Sequence, residues 1–214
     1  MSSLYSSPLM KKFSLLSLLL FLPSLLGCAP ANSPEAVHQA LERNPLAAEA
    51  MADRMIDFVT LLQIHANERK KPITDPAVLR AIDDTLIEAK RMRADAEKKQ
   101  DAGKVGDFQG KNDALVQGRV LLLDQSLYFG FDFETDLAPG VRVFLAQNVA
   151  PSTEEELKSE PTTDLGALQT MLGPQEYPVR KLTNDEWNKY RTVALYSPSL
   201  KRIIGIAQLH GQLK

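Results

Sequence analysis

Hydrophobic and polar positions change their repeat near Gly103. Before it, Ala47, Met51, Met55, Phe58, Leu62 and Ala66 recur at spacings of three and four, and Val78, Ile82, Leu86, Ala89, Met92 and Ala96 do the same. Such spacing lays apolar side chains along one stripe of an α-helix. After it, Leu127, Phe129, Phe131 and Phe133 alternate with Tyr128, Gly130 and Asp132, the two-residue period of a half-buried strand. Val141, Val143 and Leu145 share that period, as do Val193 with Leu195 and Ile204 with Ile206. Leu115 to Leu123 predicts a further strand, broken at Gly118.

Punctuation agrees with this division. Ser33 before Pro34 and Asn44 before Pro45 read as N-caps with proline in the first turn, starting a short helix and then a long one. Arg69, Lys70, Lys71 and Pro72 end the long helix. Asp75 with Pro76 starts its partner, which Lys98, Lys99 and Gly103 close. Each long helix spans roughly 35 Å at 1.5 Å per residue, and the short connection predicts an antiparallel hairpin. Two helices alone bury little, so the hairpin is expected to lie on the following domain or on a partner. In the second half, turn signals at Asp136 to Gly140, at Gly173 with Pro174 and at Ser197 with Pro198 separate the strands. The acidic run Glu154, Glu155, Glu156 is expected in a solvated loop.

Composition sharpens the boundary. From Ala29 to Val105 the only aromatic is Phe58 and the only glycine is Gly103, whereas Gly106 to Lys214 holds ten aromatics and nine glycines. The expected class is α+β: a helical hairpin over residues 34–103, then an all-β antiparallel sandwich or barrel over residues 106–210.

The first residues carry a different pattern. Lys11 and Lys12 precede an apolar run from Phe13 to Leu26, too short for a membrane span and interrupted by Ser14, Ser17, Pro23 and Ser24. Met10, directly before the two lysines, fits a leader start better than Met1. The run ends in Leu25, Leu26, Gly27, Cys28, which resembles the lipobox of bacterial lipoproteins. That resemblance implies a signal peptide over residues 1–27, Cys28 lipidated as the first mature residue, and a linker to residue 33. Two or more acyl chains anchor a protein stably where one does not. Ala29 after the cysteine implies the periplasmic face of the outer membrane. Two of the 25 cations and none of the 27 acids precede Cys28, leaving 23 against 27, a balance that argues against nucleic acid. Cys28 is the only cysteine, so no disulfide can form within the chain.

Catalytic and metal-binding patterns are missing. His38, His65 and His210 are scattered, without metal-ligand spacing to one another or to a cysteine. No phosphate loop, nucleophile elbow or Ser, His, Asp set is present, so no enzyme activity and no cofactor are expected. Asp132, Glu134 and Asp136 could form a carboxylate group at a strand end, with Asp132 and Glu134 on the face opposite the phenylalanines. The pair suits proton transfer or Ca²⁺ binding, but a solvated sheet face accounts for it more simply. Trp187 and Tyr190 could stack on a sugar, although strand-end aromatics usually belong to the core.

The segment from about Gly106 to Leu209 resembles the DM-thirteen electron-transfer domain. The likeness rests on Gly106 and Phe108; on Gly118 with the run to Phe133; on Pro139, Val141, Val143, Phe144 and Leu145; on Asp164, Leu165, Gly166, Leu168, Gly173, Gln175 and Tyr177; and on Tyr190, Val193, Leu195, Tyr196, Ala207 and Leu209. The resemblance implies a small all-β domain. It also shows three departures: Ala114, Gly140 and Ser197 stand where the family usually has histidine, aspartate and cysteine. The cysteine is the family's proposed redox group, and serine cannot replace it in that role. The expected function is a lipid-anchored envelope protein acting as a binding or scaffold module, with a possible envelope partner on the hairpin. The alternative is electron transfer through a bound cofactor, with Tyr177, Tyr190 and Tyr196 nearby.

Overall fold

The computed structural model describes residues 34–69 and 71–211. Three helices come first: α1 (Pro34–Arg43), α2 (Pro45–Glu68) and α3 (Pro76–Gln100). Asn44 caps α2, its Oδ1 accepting from the backbone N–H groups of Leu46 and Ala47 at 3.1 and 3.2 Å. Asp75 caps α3 by accepting from Ala77 N at 2.8 Å. These bonds satisfy donors that the first helical turn leaves unpaired.

α2 and α3 form the expected antiparallel hairpin. Its seam is narrow, with Ala52, Met55 and Val59 of α2 and Ile82, Ala89 and Ala96 of α3 buried. Asp53 pairs with Arg93 at 3.3 Å along one side. The stripe expected on α2 is covered only near its base: Ala47 and Met55 are buried together with Leu46, Ala48, Ala52 and Val59, while Phe58 and Leu62 stay 49% and 39% exposed. The reason is that α2 serves two neighbours at its base, α3 on one side and the sheet on the other. Beyond Val59 it has only α3.

Eleven strands follow among the described residues: β1 (Lys104–Gly110), β2 (Val116–Gln117), β3 (Arg119–Leu123), β4 (Ser126–Phe129), β5 (Glu134–Thr135), β6 (Arg142–Ala146), β7 (Thr162–Ala167), β8 (Gln175–Pro178), β9 (Thr192–Ser197), β10 (Arg202–Gln208) and β11 (His210–Gly211). Two short helices interrupt them, α4 (Glu154–Ser159) and α5 (Asn184–Lys189). The main sheet runs β7-β6-β9-β10-β1-β3-β4-β8, antiparallel throughout, with β11 beside β1 and with β7 and β8 approaching each other to nearly close a barrel. β2 and β5 make a separate two-stranded sheet. The chain is therefore α+β, a helical hairpin followed by a nearly closed antiparallel β barrel or sandwich.

The barrel interior is filled by Phe108, Val120, Leu122, Leu127, Phe129, Phe133, Val143, Leu145, Tyr177, Val193, Leu195 and Ile204. Phe108, Phe129 and Phe133 meet with ring centroids 4.7 to 5.4 Å apart. Outside the barrel, two further patches are covered. Leu46 of α2 packs with Leu121 and Tyr128 on the outer face of β3 and β4, and Leu157 of α4 packs with Phe144, Tyr196, Ile203 and Ile206. Several strands are thus buried on both faces.

Three expectations are corrected. The strand expected through Phe133 ends at Phe129: Gly130 N donates to Arg119 O at 2.9 Å, Phe133 N to Gly130 O, and the chain turns. Phe133 folds into the core, while Phe131 stays half-buried beneath Arg54. Ile204 and Ile206 do not share a face, because a register shift between Ile203 and Gly205 sends Ile204 inward and joins Ile206 to the outer cluster. The acidic run is helical, not a loop. Thr153 Oγ1 accepts from Glu156 N at 3.2 Å, and Glu154, Glu155 and Glu156 occupy the first turn, where the helix dipole favours negative charge.

Candidate functional site

The antiparallel strands place alternate connections at one end of the barrel: 111–115 after β1, 130–133 after β4, 136–141 after β5, and 198–201 after β9. Backbone and side-chain bonds tie them together. Lys111 N donates to Ile204 O at 2.8 Å, and Asn112 Nδ2 to Ile203 O at 2.9 Å. Leu115 N donates to the Asp136 carboxylate at 2.6 Å, and Asp136 N returns to Leu115 O at 2.9 Å. Ser197 Oγ donates to Pro139 O at 2.6 Å and accepts from Leu200 N at 3.3 Å.

This end gathers Ala114, Gly140 and Ser197. Ser197 is fully buried at the close of β9, its hydroxyl committed to the two bonds just given. Gly140 adjoins the Pro139 it holds, at φ +64°, and a Cβ there would lie 3.4 Å from Ser199 Oγ. Ala114 precedes Leu115 and packs against the inner core. No two of these three residues supply an ionisable pair, and none supplies a thiol.

The carboxylates are brought to the same end but not to one another. Asp132 accepts from Arg119 N at 3.1 Å, Glu134 from Gln117 Nε2 at 2.9 Å, and Asp136 from Leu115 N. The expected strand with Asp132 and Glu134 on one face does not exist, because Asp132 sits in the turn after β4. Each acid is spent on pinning one rung of the segment 115–119. Among the described residues, no group of three or more His, Cys, Asp or Glu side chains could hold a metal ion.

Around the β2–β5 pair lies apolar surface. Leu115 and Leu137 are 46% and 84% exposed, and Met171 and Leu172 are 42% and 57% exposed. Thr135 N donates to Met171 O, and Glu134 bridges Leu172, so the four residues flank the same short sheet. Sequence periodicity could not find this patch, because its members come from three connections.

α2 runs across the outer face of β3 and β4 toward this end. Leu46 lies on Leu121 and Tyr128, and the Glu49 carboxylate takes Arg119 at 2.6 Å and Gln100 at 2.8 Å. Burial pushes Glu49 up, but the bonds from Gln100 and Arg119 outweigh it and hold the carboxyl below its usual value. Arg54 then sits 5.4 Å above the Phe131 ring.

The opposite end holds a cavity of about 460 Å³ lined by Gln147, Glu160, Asp185, Asn188, Lys189 and Arg191. Its cations and acids alternate, so it presents neither an apolar floor nor a field of one sign. Beside it, Lys104 Nζ donates to the carbonyls of Trp187, Asn188 and Tyr190 at the end of α5. Burial, with Arg191 nearby, lowers its pKa. Trp187 packs partly against the inner core, and Tyr190 is buried with its hydroxyl 2.8 Å from Thr163 Oγ1, so the two form no exposed stacking platform.

The remaining candidates are separate. His65 pairs with Glu68 at 3.3 Å on the exposed end of α2, and His210 is exposed on β11. Tyr177 is buried, with its hydroxyl donating to Gln175 at 2.7 Å, and burial pushes it up to about 12. Tyr196 donates to Glu154, whose carboxylate pushes the phenol up to about 12. Cys28 and the side chain of His38 lie outside the described residues. No described helix is long and apolar enough to cross a membrane. Compared with protein-family models, curated proteins and solved structures, the chain matches none.

Proposed function

We propose that this chain is a lipid-anchored cell-envelope protein whose DM-thirteen-like β-domain acts as a binding or scaffold module without thiol redox chemistry. One observation carries the second part. Positions far apart in sequence, where the family carries histidine, aspartate and cysteine, fall at one end of the barrel and hold Ala114, Gly140 and Ser197. A buried serine hydroxyl with both bonds inside a turn neither ionises near neutrality nor exchanges electrons. Exposed Leu115, Leu137, Met171 and Leu172 at the same end favour contact with another macromolecule. The anchor rests on the run ending Leu25, Leu26, Gly27, Cys28.

The test uses the full chain isolated from membranes in detergent. Cys28 is expected to carry acyl chains that the Cys28→Ser variant lacks, as read by intact mass. The same sample is expected to be colourless and to take up no electrons in a redox titration. A bound chromophore or reversible electron uptake would overturn the module reading, and an unmodified Cys28 would overturn the anchor.

A further inference from the structure

At the barrel end away from the apolar patch, the end of β6 and the starts of β7 and β9 lie side by side in register. Ala146 pairs with Thr162 on one side and Thr192 on the other, so the next residue, Gln147, lies between Pro161 and Arg191. Gln147 N donates to Pro161 O at 3.3 Å, and Arg191 N to Ala146 O at 2.9 Å. Glu160, Gln147 and Arg191 thus form a floor about 10 Å wide, two strand spacings across. Beside it α5 stands as a wall that supplies Asp185, Asn188 and Lys189. Although no α5 residue is fully buried, both ends of the helix are held. The Thr183 and Glu186 capping box fixes the first, and Lys104 Nζ fixes the last through the carbonyls of Trp187, Asn188 and Tyr190. The cavity of about 460 Å³ between floor and wall is therefore preformed.

The polar groups that line this cavity are not used by the protein itself. Gln147 is half-buried and the other five are exposed, and among the described residues none of the six side chains makes a hydrogen bond or an ion pair. Spacing does not account for this. Asp185 and Lys189 stand four apart on α5 with the acid first, the order that favours pairing, and Glu154 with Lys158 at the same spacing on α4 do pair. Burial and then Arg191 lower the pKa of Lys104, so the cationic side of the cavity is not neutralised from behind. The lining offers two acids, two cations and two primary amides, each ready to take a partner from outside the chain.

We infer that this cavity binds a short peptide whose two termini are both unblocked. The ammonium lies with Glu160 and Asp185, the carboxylate with Lys189 and Arg191, and a peptide group with Gln147 and Asn188, whose amides both donate and accept. Three extended residues span about 10 Å, the width of the floor, so a tripeptide bridges it. Because the lining holds no apolar side chain, binding follows the termini rather than the peptide's side chains, and it weakens with salt. The site depends on neither the lipid anchor nor the apolar patch at the other end.

The test is amide-resolved NMR of the full chain in detergent micelles, titrated with tri-alanine. Saturable shifts are expected at Gln147, Asn188 and Arg191, with a dissociation constant that rises on adding salt. N-acetyl tri-alanine and tri-alanine amide, each lacking one charge, are expected to bind about tenfold more weakly. Lys189→Gln with Arg191→Gln is expected to weaken tri-alanine about tenfold and to leave the amide form unchanged. Glu160→Gln with Asp185→Asn is expected to weaken tri-alanine likewise and to leave the acetylated form unchanged. All four positions are exposed, and the same spectra report that the variants stay folded. No saturable shift, shifts confined to other residues, or blocked peptides that bind as well as tri-alanine would overturn the inference. The module reading would survive that result, because it falls only with a bound chromophore or reversible electron uptake.

Discussion

Asn44 joins the two halves of the molecule: its Nδ2 donates to the carbonyl of Phe129 at 3.0 Å, while its Oδ1 caps α2. One buried amide thus starts the hairpin and fixes that start to the last residue of β4. Glu49 with Arg119, one turn on, repeats the link. The hairpin base is thus bonded to the β-domain at two points.

Asn44→Ala removes both functions and leaves the Phe129 carbonyl without its donor. The expected cost is about 2 to 3 kcal/mol, read from urea denaturation. Asn44→Asp keeps the cap but loses the donor, so it is expected to cost nearly as much in this buried place. If both variants matched the wild type, the Asn44 link would be incidental.

Gly118 holds φ +107° between β2 and β3, and a Cβ there would lie 2.4 Å from Phe133 Cα. Gly118→Ala is expected to destabilise by at least about 2 kcal/mol, since both the dihedral and the backbone contact oppose a side chain. Gly166, with φ +109° and open space around it, is the control. Gly166→Ala should show only the dihedral part.

Ser197→Ala is expected to cost about 1 to 2 kcal/mol through loss of the Pro139 and Leu200 bonds. Ser197→Cys, made with Cys28→Ser, is expected to place a thiol that a water-soluble reagent reaches only on unfolding, because the position is fully buried. Rapid labelling of the folded variant would show that the pocket opens.

Acid and alkali act on different groups. Glu186, bonded first by Arg180 and then by Thr183, is held down at about 2 from 4.5. Its lowered value means that it adds stability above about pH 4.5 and loses it as pH falls toward 2. Glu186→Gln is expected to flatten that limb of the stability curve. Tyr177, raised by burial from 10 to about 12, adds stability below pH 10 and loses it as pH rises through 12. Its phenolate absorbance is expected to appear together with alkaline unfolding, and Tyr177→Phe should remove that share of the signal.

Much of the fold was legible because its signals are local. Asn44 with Pro45 and Asp75 with Pro76 mark helix starts by chemistry contained in two or three residues. The change from a helical to a two-residue period near Gly103 separates the hairpin from the strands. One local signal was present and missed: Thr183 and Glu186 make a capping box, with Thr183 Oγ1 accepting from Glu186 N and Glu186 accepting from Thr183 N, and this starts α5.

The candidate site was legible only in part. Ala114, Gly140 and Ser197 could be singled out one by one, but nothing in their spacing placed them at one end of a barrel. That follows from antiparallel pairing, which puts alternate connections together whatever their distance in sequence. The exposed patch of Leu115, Leu137, Met171 and Leu172 was hidden for the same reason.

By itself, the sequence determined the class of each long element, the caps that start the helices, and the lone thiol at Cys28. These depend on neighbours within a turn or a strand repeat. Only the tertiary structure decided which face of α2 is covered, how far along α2 that cover extends, and where Phe131 and Phe133 part. Those outcomes depend on which surfaces lie opposite, as when one side of α2 must meet α3 and another Leu121 and Tyr128, and no periodicity within a single helix encodes two partners.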